Sequence, residues 1–187
     1  MFLDSLKNFN WYNEPADVRF IEEGMSIVSR CGTDFWSSAH HRFHKDNGHF
    51  FFCEREVDFR LDLRWACDAP AAFSQCGLMV RDNNLNWAKA GILSPGVSEP
   101  QLGSIVTVNG YSDWASLPLS QYHHRISYRL IRKKSDFIIY YSPDDQIFRQ
   151  LRQFHLPTAS GNIKAGAYIC SPRVENFHAV LEYLEIS

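Results

Sequence analysis

The segment from Val57 to Trp65 alternates an apolar residue with a charged one at every step. Successive side chains of a β-strand point to opposite faces of the sheet, so this pattern predicts a strand with one packed face and one wet face. The charges on the wet face alternate in sign, which favours solubility and pairing across neighbouring strands over chemistry. A period of two is the dominant signal, and it indicates a protein built from strands.

Further strand candidates follow at short intervals, each bounded by turn residues. No window of 11 or more residues has a convincing helical period, although the region 34–45 is poorly defined and leaves room for a helical turn. Within one candidate, residues 137–141 are apolar on both faces, which predicts a central strand covered on both sides. The candidates span 17–22, 25–30, 49–55, 72–81, 86–93, 103–109, 124–132, 136–142, 147–154, 163–170 and 176–186.

Turn residues separate these candidates in positions that predict chain reversals. Glu23-Gly24 predicts a tight hairpin between the first two strands. Asn47-Gly48 predicts a type I′ turn that closes a second hairpin, because this dipeptide readily adopts positive φ angles. Ser135-Asp136 and the run 143–145 mark two more reversals.

Many short strands with regular turns predict a sandwich or barrel. The 187 residues suffice for one domain with a substantial core. Hydrophobic residues make up 45% and aromatic residues 14%, which argues against disorder. No repeat, linker or low-complexity tract interrupts the chain, so we predict a single domain over residues 1–187.

The charge balance narrows the classes of partner. Lys and Arg number 19 against 21 for Asp and Glu, and the pI near 6.4 gives no support for nucleic-acid binding, which is usually accompanied by a pI above about 9. No stretch approaches the roughly 18 apolar residues of a membrane-spanning helix, and no glycine-rich phosphate loop is present, so we expect no nucleic acid, no membrane and no cofactor. The five cysteines are odd in number and form no Cys-x-x-Cys pair, which favours free thiols in a cytoplasmic protein.

Six local phrases, in their order and spacing, resemble those of one protein family. They are Phe9–Pro15, Gly32–Trp36, Lys45–Phe50, Gln75–Arg81, Asn86–Gly91 and Gly110–Trp114. Over Phe9 to Ile186 the chain is similar to the regulation-of-enolase family, a group of concanavalin A-like β-sandwich proteins of unknown function. The resemblance implies an all-β jelly roll of two antiparallel sheets, and the family's name implies a link to enolase. It implies no reaction, because fold alone does not determine function.

The polar and aromatic residues of these phrases are the candidates for a binding site. Alternation along 72–81 places Gln75 and Arg81 on one face, and alternation along 86–93 places Trp87 and Lys89 together. If both faces lie on the concave sheet, these side chains form a cluster over which loop residues can close. Indole rings stack on sugars, and amide, carboxylate and guanidinium groups bind hydroxyls, so we predict a carbohydrate-binding module. The candidate ligand-binding residues are Asp34, Trp36, His49, Gln75, Arg81, Trp87, Lys89, Asp113 and Trp114.

A structural role is the alternative for these residues. For any one tryptophan the favoured role is buried or sheet-edge packing, with its indole N–H group satisfied locally. Arg81 and Lys89 could form structural ion pairs with an acidic partner such as Asp113.

Two other functions remain open from the sequence. A glycoside hydrolase needs two carboxylates that flank the scissile bond, and the run 56–61 resembles the Glu-x-Asp-x-x-Glu strand of laminarinase-like enzymes, with Leu61 in place of the second glutamate. Glu54 and Glu56 share a strand face about 7 Å apart. A protein-interaction module for a metabolic enzyme predicts instead an exposed apolar patch of several hundred Å².

The sequence also contains candidate metal ligands, but they form no recognisable site. Zinc needs three or four ligands, and the histidines of the 40–49 region have no accompanying Cys-x-x-Cys or His-Glu-x-x-His. Asp144-Asp145 supplies too few oxygens for calcium. We therefore predict no metal site at Asp144-Asp145 or among His40, His41, His44 and His49.

Overall fold

The computed structural model describes residues 6–37, 43–68, 73–94 and 100–187, and these ranges contain strands and no helix. None of the described segments is therefore a helix long and apolar enough to cross a membrane. The strands are β1 (Asn10–Tyr12), β2 (Asp17–Ile21), β3 (Gly24–Val28), β4 (Phe35–Ser37), β5 (His44–Asp46), β6 (His49–Arg55), β7 (Phe59–Cys67), β8 (Gln75–Arg81), β9 (Trp87–Leu93), β10 (Gln101–Val108), β11 (Tyr111–Pro118), β12 (Arg125–Lys133), β13 (Asp136–Ser142), β14 (Arg149–His155), β15 (Ile163–Cys170) and β16 (His178–Ile186).

The strands form two large antiparallel sheets. The first sheet has the order β1-β6-β15-β8-β9-β10-β11, and the second has the order β14-β13-β12-β7-β16-β3-β2. The short strands β4 and β5 pair with each other and form a separate ribbon. The predicted all-β class, a jelly-roll sandwich of two antiparallel sheets, is confirmed.

The main core lies between the two sheets and is built by the period of two. Along β7, Leu61, Leu63 and Trp65 are buried, and the Trp65 indole donates to the carbonyl oxygen of Gly77 across the sandwich at 3.0 Å. The wet face of β7 pairs with the neighbouring strand as predicted, since Asp62 accepts from the Arg129 guanidinium at 2.6 Å.

Every strand predicted from the sequence is present, with ends displaced by up to about three residues. Four strands were missed, namely β1, β4, β5 and β11. The first three have three residues each, too few for alternation to show. In β11 most side chains are exposed because it is an edge strand, so its sequence does not alternate.

The region 34–45 forms the strands of the ribbon instead of the helical turn that we allowed there, and residues 38–42 lie outside the described ranges. The prediction of a doubly covered strand at 137–141 is also wrong. Phe137 and Ile139 are buried, but Ile138 and Tyr140 on the other face are only half-buried. The outer face of the second sheet therefore stays accessible there.

The predicted Asn47-Gly48 hairpin is wrong as well. β5 pairs with β4, and β6 pairs with β1 and β15, because the amides of Asn47 and Gly48 both donate to the carbonyl oxygen of Asp34. Positive φ angles of 51° and 81° occur instead at Asn109 and Gly110, which join β10 to β11.

The hairpin predicted at Glu23-Gly24 is confirmed, with Ile21 paired to Gly24. Gly24 has a φ of 148°, and a Cβ there would overlap the backbone of Leu181.

Candidate functional site

The outer face of the first sheet, turned away from the second sheet, carries most of the predicted site residues. Cys76, Leu78 and Val80 of β8 point into the main core, while Met79 on the alternate face belongs to a second apolar cluster. Trp87 of β9 belongs to the same second cluster. The predicted division of β8 and β9 into two faces is therefore confirmed.

The ribbon of β4 and β5 covers part of this outer face. The side chain of Phe35, the first residue of β4, is fully buried between the ribbon and the sheet, in a cluster that includes Phe50, Trp87 and Tyr168. A Cβ at Gly48 would overlap the Phe35 ring, so glycine permits this packing. Trp87, only 1% exposed, is consequently a packing residue and is not available to a ligand.

Arg81 anchors the ribbon to the sheet. Its guanidinium donates to both carboxylate oxygens of Asp46 on β5, at 2.5 and 2.8 Å, and lies over the ring of Tyr12 at 4.5 Å. The Tyr12 hydroxyl donates to the same carboxylate, and burial raises the pKa of Tyr12. Arg81 thus has a structural partner on the ribbon, with 5% of its surface exposed.

Lys89 forms a second buried anchor. Its ammonium donates to Asp34 Oδ1 at 3.0 Å and lies 5.3 Å from the centre of the Tyr168 ring. The same oxygen accepts from the backbone N–H of Phe35 at 2.8 Å. Among the described residues none donates to Asp34 Oδ2, so this oxygen remains available as an acceptor.

Asp113, which we grouped with these residues, lies elsewhere. It points to the opposite face of β11 and accepts from Arg152 of the second sheet at 3.0 Å. The acidic partner expected for Arg81 or Lys89 is therefore supplied by Asp46 or Asp34, and Asp113 bridges the two sheets at their edge.

His49 is also structural. It is 1% exposed, accepts from the backbone N–H of Arg30 at Nε2 (3.0 Å), and therefore carries its proton on Nδ1, which donates to the carbonyl oxygen of Asn13 (2.8 Å). Burial lowers the pKa of His49. His44 contacts Ser37 instead, so the two histidines do not face each other across a turn.

The neutral state of His49 predicts a pH dependence of stability. Because its pKa is lowered in the folded protein, the unfolded chain binds more protons once the pH falls below about 6.5. The free energy of unfolding should then fall by about 1 kcal/mol more between pH 7.5 and 5.5 in the parent protein than in a His49→Gln variant. Urea titrations at several pH values measure this difference, and parallel curves for the two proteins would contradict it.

An open pocket remains beside the ribbon. Its volume is about 250 Å³, slightly below the range of about 300–1,000 Å³ for drug-sized ligands. The indoles of Trp36 and Trp114 meet at 88° with centroids 6.3 Å apart, and Phe43 stacks on Trp36 at 6.2 Å. The described lining is Asp34, Trp36, Phe43, Phe73, Gln75, Leu93, Ile105, Trp114, Pro172 and Arg173.

The polar groups of this pocket are few and convergent. Gln75 is 8% exposed, and its oxygen lies 3.4 Å from the Tyr168 hydroxyl. Within the described ranges no group pairs with its amide nitrogen. Asp34 Oδ2 and the exposed guanidinium of Arg173 complete the set. An amide donor that lines a pocket without a protein partner is available to water or to a ligand.

Four of the nine predicted residues therefore meet in one pocket, namely Asp34, Trp36, Gln75 and Trp114. Phe43, Phe73 and Arg173 also line it, and sequence reasoning missed all three. Phe73 has a φ of 71°, unusual for a bulky residue, and it precedes β8 although the strand was predicted over 72–81. Arg173 follows β15 in a loop without periodicity, so no sequence signal identified it.

Carboxylates, thiols and imidazoles do not assemble a metal site in the described part of the chain. His40 and His41 lie outside the described residues. Asp144 instead closes its own turn, accepting from the amides of Gln146 and Ile147, which lowers its pKa to about 2.

This arrangement defines a concanavalin A-like β-sandwich protein with a small aromatic pocket on one sheet. The chain belongs to the family described as "Protein of unknown function (DUF1349)", whose model matches residues 11–187. It is 31% identical over 169 residues to "Regulation of enolase protein 1" of Saccharomyces cerevisiae, which covers 89% of this chain and 83% of the relative. The resemblance read from the six phrases is thereby confirmed.

Solved structures share the fold. A functionally unknown protein from Saccharomyces cerevisiae superposes with a TM-score of 0.91 at 26% identity, covering 98% of this chain and 97% of that one. The GH43 protein BlXynB of Bacillus licheniformis superposes with a TM-score of 0.72 at 10% identity, covering 96% of this chain and 39% of that one. The carbohydrate binding module CBM66 from Bacillus subtilis superposes with a TM-score of 0.61 at 13% identity, covering 97% of this chain and 96% of that one.

Proposed function

We propose that this protein binds a small polyhydroxylated molecule, a carbohydrate of one or two rings, in the pocket beside the ribbon. The observation that carries the proposal is the amide of Gln75, whose nitrogen pairs with no described group, in a pocket walled by aromatic rings. Sugars present hydroxyl groups around the ring edge and C–H groups on its faces. A sugar site therefore needs polar groups that bind the hydroxyls and aromatic rings that pack against the faces. A cytoplasmic location belongs to the same proposal, and the five free cysteines support it.

Each pocket group has a distinct part in this binding. The Trp114 indole, 44% exposed, offers an apolar face against which a sugar ring stacks. The Gln75 amide donates to one hydroxyl oxygen, and Asp34 Oδ2 accepts from another hydroxyl. The Lys89 ammonium fixes the Asp34 carboxylate from behind, so that its second oxygen is held in place before the ligand arrives.

The comparison structures agree with this proposal at the level of the fold. A carbohydrate binding module of 13% identity matches nearly the whole length of both chains. A likeness this distant shows the shared sandwich alone, so the case for a sugar depends on the pocket residues.

Glycoside hydrolysis has less support. Two carboxylates must flank the scissile bond, yet Asp34 is the single carboxylate among the described lining residues. Glu54 accepts instead from Asn162 at 2.8 Å and lies 3.7 Å from the Lys164 ammonium. Leu61, which replaces the second glutamate of the hydrolase motif, is fully buried in the main core.

A protein partner is the second candidate function. The curated relative is named for the regulation of enolase. Leu85 and Tyr111 are exposed by 46% and 71%. Leu85 lies in the β8–β9 loop, and its carbonyl oxygen accepts from the amide of Gly110 in the β10–β11 turn. Exposed apolar groups of this kind suit a docking surface, and affinity capture from the protein's own cell extract tests it.

Replacing Trp114 by alanine should remove most of the sugar binding. The indole is the exposed wall of the pocket, and truncating such an aromatic side chain costs about 2 kcal/mol, which corresponds to a roughly 30-fold increase in Kd. Calorimetry and ligand-observed NMR with a panel of common mono- and disaccharides provide the measurement.

Tyr111→Ala is the matched control for this experiment. Tyr111 lies on the same strand, is more exposed than Trp114 and points to the opposite face. Its removal should leave the affinity unchanged. Equal affinity of Trp114→Ala and the parent protein, or no binding of any sugar at millimolar concentration by the folded protein, would remove the proposal.

A further inference from the structure

The described lining of the pocket includes Arg173, whose charge no described acidic side chain matches. The Arg173 guanidinium carbon lies 4.7 Å from the centre of the Phe73 ring, on the pocket wall. Within residues 6–37, 43–68, 73–94 and 100–187 no carboxylate pairs with Arg173. Some exposed arginines are ion-paired, for example Arg125 with Glu182 at 2.7 Å.

The charge of the described part of the pocket is therefore not balanced. Asp34 is the acidic group of the described lining, and the buried ammonium of Lys89 already neutralises it at 3.0 Å. The guanidinium of Arg173 is left as an excess positive charge at the mouth. In a partly enclosed pocket such a charge attracts an anion more strongly than it would on an open surface.

The wall that holds Arg173 is built under strain. Phe73 adopts a φ of 71°, and its amide donates to the carbonyl oxygen of Ser94 at 2.7 Å, which holds it there. A bulky side chain in this region is strained and persists where the surrounding structure enforces it, commonly at ligand sites. The conformation keeps the ring under the guanidinium.

A cationic ligand is the main competitor. Four aromatic rings surround the pocket, and aromatic cages bind quaternary ammonium groups through cation–π contacts. Here the Arg173 guanidinium already occupies the face of Phe73, and the Asp34 charge is neutralised by Lys89. Both features oppose a second cation, so the same pocket favours a negative ligand.

We propose that the pocket prefers an acidic sugar, in which a carboxylate or phosphate group pairs with the Arg173 guanidinium while the ring hydroxyls bind Gln75 and Asp34. A guanidinium offers two parallel N–H donors that match both anions. This inference rests on the proposed function, because it specifies the class of sugar that the same site takes.

Matched probes test this preference on the full chain. Glucose, glucuronate and glucose 6-phosphate, and the corresponding galactose set, are titrated by calorimetry at low and high salt. We expect at least one acid to bind about tenfold or more tightly than its neutral sugar at low salt, and the advantage to shrink as salt screens the pair. Comparison of the two acids distinguishes a carboxylate from a phosphate ligand.

Two variants assign the preference to Arg173. Arg173→Gln should abolish the advantage of the acid over its neutral sugar, whereas Arg173→Lys should retain part of it. Arg149→Gln on β14 of the second sheet makes the same change in net charge away from the pocket and should have no effect. Circular dichroism confirms that each variant is folded.

The outcomes separate the two proposals. Equal affinity for acidic and neutral sugars overturns the acidic preference and leaves the sugar site standing. Choline serves as a cationic probe in the same titrations. If choline binds and no acidic sugar does, the acidic preference is overturned as well. Failure of every probe to bind the folded protein removes the acidic preference together with the sugar site.

Discussion

Replacing Arg132 by methionine should destabilise the protein by about 3–5 kcal/mol, the largest effect that we expect from a single substitution. Arg132 is 2% exposed, and its guanidinium donates to carbonyl oxygens from three separate loops. Without it these carbonyl oxygens lose their guanidinium donor, and each one that water does not reach carries a desolvation cost. Of the described donors, the Ala159 oxygen retains only the Ser135 hydroxyl at 3.2 Å. The acceptors are Lys134, Arg55, Val57, Ala159 and Gly161.

The position of these loops explains why the effect is global. They connect β6 to β7, β12 to β13 and β14 to β15, so the guanidinium ties together one end of the sandwich across both sheets. Burial lowers the pKa of Arg132, yet a guanidinium stays charged throughout the physiological range. A buried charge held by backbone carbonyls can therefore be replaced neither by an apolar side chain nor by a neutral one without loss.

Denaturant titration and thermal unfolding measure this effect, which corresponds to a Tm lower by roughly 10 °C. Arg129→Met is the matched control, because Arg129 lies three residues away on the outer face and pairs with Asp62 in a partly exposed ion pair. Such a pair contributes about 0–1 kcal/mol. Arg132→Lys keeps the charge with fewer donors and should give an intermediate value. A Tm of Arg132→Met close to that of Arg129→Met would contradict this role.

The sequence contained enough information for the strands and their faces. The alternation from Val57 to Trp65 reports local geometry alone, so it predicted both the buried side and the ion-paired side of β7. The same period of two along β8 and β9 placed Gln75 on the outer face of the first sheet, together with Trp87 and Lys89. The two sheets and their core follow from these faces together with the resemblance to a known family.

The covering of that outer face could not be predicted in this way. The ribbon is anchored by the pair of Lys89 with Asp34, which lies 55 positions away in the chain, and by that of Arg81 with Asp46, 35 positions away. A period of two shows which side chains share a face, but it does not show which distant loop covers that face. This is why Trp87 was predicted to contact a ligand and is instead buried.

The remaining pocket residues were missed for a related reason. Phe73 and Arg173 lie 100 positions apart in the chain, one in the segment before β8 and the other in the loop after β15. They meet because β8 and β15 are antiparallel neighbours in the first sheet, which brings the start of β8 next to the end of β15. The topology must be known before these two side chains can be placed together.

Lys89→Met is the second substitution with a large expected effect, about 3 kcal/mol of stability. The Lys89 side chain is 2% exposed, and methionine fills a similar volume without the charge. The Asp34 carboxylate, 15% exposed, then keeps the Phe35 amide as its main donor, since the Cys170 thiol is a weak one. Removing one partner of a buried pair leaves the other charge uncompensated, which is why the loss exceeds the net contribution of the pair.

A double variant separates the two explanations for this loss. Lys89→Met with Asp34→Asn removes both charges, so most of the stability should return if the uncompensated carboxylate is the cause. Lys164→Met is the matched control, because this lysine lies on the first sheet and is 35% exposed beside Glu54 at 3.7 Å. It should change the free energy of unfolding by less than about 1 kcal/mol.

The same variants connect the anchor to the pocket. Asp34 heads the ribbon whose β4 carries Trp36, so loss of the Lys89 pair should loosen both the carboxylate and one aromatic wall. The double variant should therefore recover stability without recovering sugar affinity, because asparagine no longer presents the carboxylate oxygen to a hydroxyl. Recovery of stability and affinity together would show that the Asp34 carboxylate only holds the ribbon in place and takes no part in binding the ligand.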